Sequence, residues 1–366
     1  MIAWRVGHVD AVRRRWAGAV ELDVIVATPV TPAGPATVRA LAYPALVGEP
    51  VPGDRVLVNT TTLALGLGTG GYGLVVALPD RLPLDAPRRP GHLVKGRYTP
   101  LQAVVLGVDE QDSPHHEVLR EADDLTGMPV VVADLHSALP AVLAGVRADR
   151  PAARVVYVMT DGGALPAWFS RTAAALREHG WLAATVTAGQ CFGGDVEAVT
   201  LHTGLLAARL VLNADLAVVT QGPGNLGTGT RWGFSGVAAG EAVNAVSVLG
   251  GRPVAALRIS GADPRERHRG VSHHSLTAYG RVALASADVV MPLLAGELGE
   301  TVRHDLAGFP ARHRLVEVGV QGLRAALERV PVALSTMGRG LREDEAYFLA
   351  AAAAGRHGAA LLHPAP

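Results

Sequence analysis

The stretch LAVVTQGPGNLGTGT, residues 216–230, decides how the chain is read. Its first part, Leu216 to Thr220, is mostly apolar and continuous, as a strand buried on both faces would be. Within two further positions the chain turns to glycine, asparagine and threonine. Working outward, the same succession recurs. Val130–Ala133 leads into Asp134-Leu135-His136-Ser137, and Arg154–Met159 into Thr160-Asp161-Gly162-Gly163. Leu182–Thr187 leads into the loop Gly189 to Asp195, and Pro253–Ile259 into Ser260-Gly261-Ala262-Asp263-Pro264-Arg265. Further apolar runs lie at Val289–Leu293, Leu315–Val318 and Val332–Leu334, the last ending in Ser335-Thr336-Met337-Gly338-Arg339. Helical stretches such as Ser170–Gly180 and Glu241–Leu249 separate them, and Ser113-Pro114 reads as the start of a helix His115–Leu125. Apolar strands alternating with amphipathic helices predict a large doubly wound α/β domain with a mostly parallel sheet over residues 101–366. In such sheets ligands bind outside the carboxyl ends of the strands, where these loops fall.

Residues 1–100 have another rhythm. Val20–Val26, Ala36–Leu41, Arg55–Asn59 and Gly73–Leu78 are short β-like segments, and Pro52-Gly53-Asp54 is a turn signal. They predict a small N-terminal antiparallel β barrel or sandwich. Pro79 to Pro100, rich in proline and arginine, leads out of it. Composition limits what the whole can be. Of 366 residues 49% are hydrophobic and 18% charged, which excludes disorder. The 33 basic and 33 acidic residues balance, so nothing global argues for nucleic acid or an anionic membrane surface. The single cysteine, Cys191, excludes an intramolecular disulfide and any CxxC metal site. The start MIAWRVGHVDAVRRRW carries Asp10 and Arg13-Arg14-Arg15 where a secretory leader needs apolar residues. No window reaches the roughly 20 apolar residues of a membrane helix. The expectation is a soluble cytoplasmic protein. An alanine-rich terminal helix Glu343–Ala354 could pack on its own domain or on a second copy in a homo-oligomer.

Gly222-Pro223-Gly224-Asn225-Leu226-Gly227 matches GxGxxG and follows a strand. A nicotinamide-dependent oxidoreductase would need a helix starting near Gly227. Pro223 removes one N–H, and Arg258 stands where a ribose-binding acid would be expected, although it would suit a 2′-phosphate. The other reading is a general anion loop. Amides of Gly222, Gly224, Gly227 and Gly229, with the hydroxyls of Thr228 and Thr230, would hold the anion, and Gly193 and Gly194 would help. Gly66 to Gly71 also fits GxGxxG but lies among β segments. GxxxxGK[ST], GxSxG and HExxH are absent from the sequence.

The densest chemistry is Arg265 to Ser275, RERHRGVSHHS. Adjacent histidines diverge by about 100° in a helix, so at most one of His273 and His274 is expected at a given point, with His268 as partner. Asp134, His136, Asp161, His268 and His273 or His274 are the candidates for acid–base catalysis. A divalent metal would draw on Asp134, Asp161, Asp263, His268 and His273. Arg258, Arg265 and Arg339 would neutralise a bound anion. Asp195 reads as the cap of a helix over Val196–Val199, and Cys191 as either a small buried residue or an activated thiol.

Three runs resemble the uncharacterised bacterial family known as domain of unknown function 3866. They are Gly189-Gln190-Cys191-Phe192-Gly193-Gly194-Asp195-Val196-Glu197-Ala198-Val199, then Gly222-Pro223-Gly224 through Gly227-Thr228-Gly229-Thr230, and Arg267-His268-Arg269-Gly270-Val271-Ser272-His273-His274-Ser275. The family's common form has alanine where Cys191 stands, which weighs against a cysteine nucleophile. The resemblance implies no particular reaction. The residues themselves point to a hydrolase or transferase for a small anionic metabolite, phosphorylated or nucleotide-like, with acid–base or metal-assisted chemistry. A non-catalytic ligand sensor or scaffold and an NAD(P)-dependent oxidoreductase are the alternatives.

Overall fold

The computed structural model describes residues 2–68, 70–85 and 87–362. The chain forms two units, Met1–Pro90 with Gly96–Val104, and Gly91–Lys95 with Val105–Pro366. The first contains β1 (Trp4–Trp16), β2 (Ala19–Val26), β3 (Thr37–Ala42), α1 (Pro44–Val47), β4 (Arg55–Asn59), α2 (Thr61–Ala64) and β5 (Gly73–Ala77). The strands close into a barrel in the order β1-β2-β3-β5-β4. β3 and β5 run parallel, so the barrel is not wholly antiparallel; this is the five-stranded arrangement of OB-type barrels. Val20, Leu22, Val24 and Val26 alternate inward from β2 to meet Val9, Ala40, Val56 and Val58. β1 pairs with both β2 and β4, and register shifts after Val9 and Val12 bend it to do so. On the outer surface Arg13 pairs with Asp23 at 3.0 Å and Arg39 with Glu21 at 3.8 Å, which balances the charge there.

β6 (Leu93–Lys95), β7 (Ala103–Val105) and α3 (His116–Leu119) follow in sequence. The helix expected over His115–Leu125 is thus a single turn. Beyond it Leu125 is buried in the core and its N–H donates to the Leu249 carbonyl at 2.8 Å rather than within a helix. The second unit is then built from β8 (Pro129–Val132), α4 (Leu139–Asp149), β9 (Val155–Thr160), α5 (Arg171–Glu178), β10 (Ala184–Ala188), β11 (Val196–Ala198), α6 (Leu201–Leu206), β12 (Leu216–Gln221) and α7 (Ala238–Val248). It continues with β13 (Arg252–Ala256), β14 (Ile259–Ser260), β15 (Gly270–Val271), α8 (His273–Thr277), β16 (Asp288–Leu293), α9 (Gly296–Leu306), β17 (Arg314–Gly319), α10 (Leu323–Glu328), β18 (Ser335–Thr336), β19 (Arg339–Gly340) and α11 (Glu345–Ala360).

Eight strands form one sheet in the order β11-β10-β9-β12-β8-β13-β16-β17. Every neighbouring pair is parallel, so all eight carboxyl ends lie along one edge. Two assignments change. Val332–Leu334 is not a strand of this sheet; the chain there forms the short β18–β19 ribbon. Val196–Val199 is not a helix but supplies the edge strand β11. Asp195 caps nothing: its carboxylate accepts from Thr185 N at 2.7 Å and pairs with Arg177 at 3.1 Å.

The strands are apolar on both sides because both faces are covered. Val130, Val132, Ala217 and Val219 pack with α6 and α7, whereas Val131, Ala133, Leu216 and Val218 pack with α4, α10 and α11. α4 and α11 cross with their backbones in contact: a Cβ on Gly145 would lie 1.8 Å from the Ala352 carbonyl oxygen, and one on Gly355 2.0 Å from that of Val142. The helix after β8 therefore covers one face and the helix after the adjacent β12 covers the other. Their departure in opposite directions opens a crevice between these strand ends, the switch point of the sheet. Among the described residues no helix is long and apolar enough to cross a membrane.

Candidate active site at the switch point

Asp134 leaves β8 and Gln221 ends β12, so both stand in this crevice. Gln221 Nε2 donates to the Asp134 carbonyl at 2.8 Å and to Asn225 Oδ1 at 3.0 Å. Beside them Thr160, Ser235 and Gly236 complete a void of about 10 Å³. That is room for about one water molecule.

The histidines arrive from the β13 side. β14 and β15 pair antiparallel and clamp the intervening loop. Its last turn, Glu266–His268, presents His268, while Ser272 caps α8 just before His273 and His274. Ring centroids lie 5.0 Å apart for His268–His273, 4.9 Å for His268–His274 and 4.4 Å for His273–His274. One nitrogen from each falls within 4.8 Å of the others. The expectation that only one of His273 and His274 could serve a given point is therefore corrected. Their Cβ vectors diverge, but an imidazole reaches well beyond Cβ, and His268 approaches both from across the ribbon.

Each ring is held. His268 Nδ1 shares a hydrogen bond with Ser272 Oγ at 2.7 Å. His274 stacks on Phe234 with centroids 3.8 Å apart and planes 4° from parallel. Its Nδ1 lies 3.4 Å from an Arg258 nitrogen and 3.6 Å from Asp134 Oδ2. Burial, then neighbouring positive charge, pushes His268 down to about 3 and His273 to about 4, so both are neutral at pH 7. Asp134 Oδ2, Gln221 Oε1 and His273 Nε2 are buried and accept no hydrogen bond among the described residues. A buried polar atom left so costs about 1–3 kcal/mol.

The arginines are placed differently from the sequence expectation. Asp263 is fully buried, with Arg265 at 2.8 Å, Arg339 at 3.1 Å and Arg258 at 3.4 Å. Burial alone would raise its carboxyl, but Arg265 and then Arg339 outweigh this and hold it well below the ordinary carboxylate range. Asp344 accepts from Arg339 at 3.0 Å and from Ser260 at 2.7 Å. Arg258, Arg265 and Arg339 thus neutralise the chain's own carboxylates, and Asp263 is too enclosed by guanidinium groups to ligate a metal. Arg231 and Arg267, both exposed, have no ion pair among the described residues.

Gly222 to Phe234 folds as a flap. Gly227 bridges to Phe234, Thr228 N donates to the Gly233 carbonyl at 2.7 Å, and the Thr228 and Thr230 hydroxyls face each other at 3.1 Å. α7 starts only at Ala238, so the helix near Gly227 that a dinucleotide site requires is absent. Phe234 ties the flap to His274, and the Arg267 guanidinium would lie 3.9 Å from a Cβ on Gly229. Leu226 and Trp232 on the flap are 73% and 56% exposed.

Other candidates lie outside this cluster. His136 sits between Tyr157 Oη at 3.0 Å and Ser170 Oγ at 2.7 Å, and burial pushes it down to about 4. Asp161 accepts from Gln190 N at 2.8 Å, a backbone-holding role that takes it out of the metal set. The Gly193 and Gly194 amides are used within the chain: they donate to Glu197 Oε1 at 2.6 Å and to the Thr187 hydroxyl at 3.2 Å. Lys95 closes the same loop, donating to the carbonyls of Gly189 and Ala198, each at 2.7 Å. Cys191 donates to the Ala188 and Met159 carbonyls, and burial pushes its thiol up to about 12, which makes it inert. At the opposite edge of the sheet a cleft of about 580 Å³ is lined by Met128, Pro129, Arg150 and Asp215 but contains no histidine. The sequence reading missed Phe234 and Asp344, because no local pattern announces a stacking or pairing role across 40 or more residues; Ser272 lay within the run Arg265 to Ser275, and its cap on His274 and bond to His268 are local.

Fold and cluster together define a doubly wound α/β protein with a histidine–aspartate centre at its switch point. The chain belongs to the family described as protein of unknown function (DUF3866), whose model matches residues 39–355. No curated protein and no solved structure matches it.

Proposed function

We propose that this protein is an enzyme acting on a small anionic metabolite, phosphorylated or nucleotide-like, by hydrolysis or group transfer. One observation carries the reading: neutral His268 and His273, with His274 and the unbonded Asp134 Oδ2, converge at the switch-point crevice beneath a glycine-rich flap. Neutral imidazoles and a carboxylate can accept protons or hold an electrophile at neutral pH. Arg231 on the flap and Arg267 beside it supply positive charge that the chain does not itself cancel. The crevice void holds only about one water, so the metabolite enters as the Gly222–Phe234 flap moves aside, a step common in enzymes that exclude water during reaction.

The test is binding and turnover with inorganic phosphate, nucleoside monophosphates and sugar phosphates. A ligand at 100 times its Kd should stabilise the fold by about 2.7 kcal/mol, a rise of several degrees in Tm. Arg267→Ala should weaken binding about tenfold, more at low salt than at high salt. No thermal shift and no turnover with any of these anions would overturn the proposal.

A further inference from the structure

We infer that His268, His273 and His274 form a binding site for one divalent transition-metal ion of the zinc class, with a fourth position open to water or a substrate oxygen. The inference deepens the enzyme reading and rests on it for the ion's role, but not for its binding.

The three nitrogens already lie within 4.8 Å of one another without an ion to draw them together. The hydrogen bonds around them select which nitrogen of each ring remains. His268 uses Nδ1 on Ser272, which leaves Nε2. His274 turns Nδ1 toward Asp134 and Arg258, which also leaves Nε2. His273 Nε2 is the buried nitrogen with no partner. A metal on these three Nε2 atoms gives His273 its missing partner. With Nε2 on the metal, His274 carries its proton on Nδ1 and offers it to Asp134 Oδ2 at 3.6 Å, while Arg258, which can only donate, gives up its 3.4 Å contact with that nitrogen. Carboxylate behind a ligating histidine is the usual outer support of such sites. The Ser272 hydroxyl plays the same part for His268, and the Phe234 ring fixes the plane of His274.

Donor chemistry sets the ion. Three imidazole nitrogens with no carboxylate among them suit Zn²⁺ and its neighbours, and do not suit Mg²⁺ or Ca²⁺, which take oxygen ligands. Three protein ligands rather than four is the pattern of a reactive site, not of a closed structural one. The ligands bring no negative charge, so the ion keeps its full charge toward a bound water and lowers that water's pKa. Arg258, Arg265 and Arg339 are committed to Asp263 and Asp344, which leaves Arg267 near His273 to oppose a cation; it is exposed, so solvent and salt screen it.

The experiment uses the full chain, stripped with a chelator and titrated with Zn²⁺ or Co²⁺ alone. One equivalent should bind, and the Co²⁺ form should show the visible absorption of low-coordinate nitrogen ligation. Mg²⁺ should not compete. His273→Ala should lose at least tenfold in affinity, and Asp134→Asn about 10–100-fold with the same stoichiometry. Circular dichroism checks that each variant folds; should the histidine variants unfold, the wild-type Co²⁺ spectrum still decides. Wild-type protein that binds neither ion stoichiometrically, or a folded His273→Ala of unchanged affinity, would overturn the site. Stoichiometric metal without turnover of any phosphorylated compound would uphold the site and overturn the enzyme reading instead.

Discussion

At the scale of single residues the second unit fixes several titratable groups, and His136 shows this most simply. Its ring is wedged between two hydroxyls and held neutral, down to about 4 against an ordinary value near 6.5. The unfolded chain therefore binds one more proton than the fold between pH 6.5 and 4. Stability contributed by the neutral ring is fully present above pH 6.5, falls as pH drops through that window, and levels off below 4. The slope from one such group is at most about 1.4 kcal/mol per pH unit, less here because solvent reaches part of the ring. His136→Gln, which keeps a donor and an acceptor, should remove that share of the slope. Urea unfolding at pH 7, 5.5 and 4.5 measures it, and identical pH dependence in the two proteins would show that the ring titrates normally in the fold. Asp263 has the opposite sense. Its lowered carboxyl adds stability above the ordinary carboxylate range that is lost only in strong acid.

At the scale of elements, what the sequence revealed and what it hid have separate causes. Strands such as β12 and β9 were legible because continuous apolar runs ending in glycine report burial on both faces. The carboxyl-edge loops followed from them. β1 was not legible, since two register shifts and three arginines break its alternation. Nor was β11, whose three residues are held as a strand by contacts from afar, Thr187 on Glu197 and Val108 N on the Glu197 carbonyl. Of the candidate site, Asp134 and the three histidines could be picked out by type, but their convergence could not, because it depends on the β14–β15 ribbon. The α4–α11 crossing yields the sharpest test here. Gly355→Leu drives a side chain into the Val142 carbonyl, which packing cannot absorb. It should cost about 3 kcal/mol or more, seen as a lower urea midpoint, whereas a change below 0.5 kcal/mol would mean that the two helices can separate freely.

At the scale of the whole molecule the boundary between the two units does not follow the order of the sequence. Gly91–Lys95 belongs with the sheet although nine residues of the barrel unit follow it. Lys95 explains why: its ammonium is buried, bonds the carbonyls of Gly189 and Cys191 in the β10–β11 loop and of Ala198 in β11, and lies 3.7 Å from Glu197. A shortened chain starting at Gly91 should keep the sheet unit soluble and cooperative. One starting at Val105 lacks Lys95, leaves Glu197 buried without its cation and should lose about 3–5 kcal/mol. Comparing their melting curves checks this, and equal Tm values would assign the loop's stability elsewhere. The α4–α11 crossing has one more consequence, at the ribosome. α11 leaves the exit tunnel after every strand of the sheet, yet it covers β8, β13 and β16, the middle of one face. Until its final turns emerge, α4 and α10 cover only part of that face, and a nascent sheet leaves the rest exposed. Synthesis of this protein thus includes an interval in which apolar strand surface over β13 and β16 waits for residues 345–360 to dock.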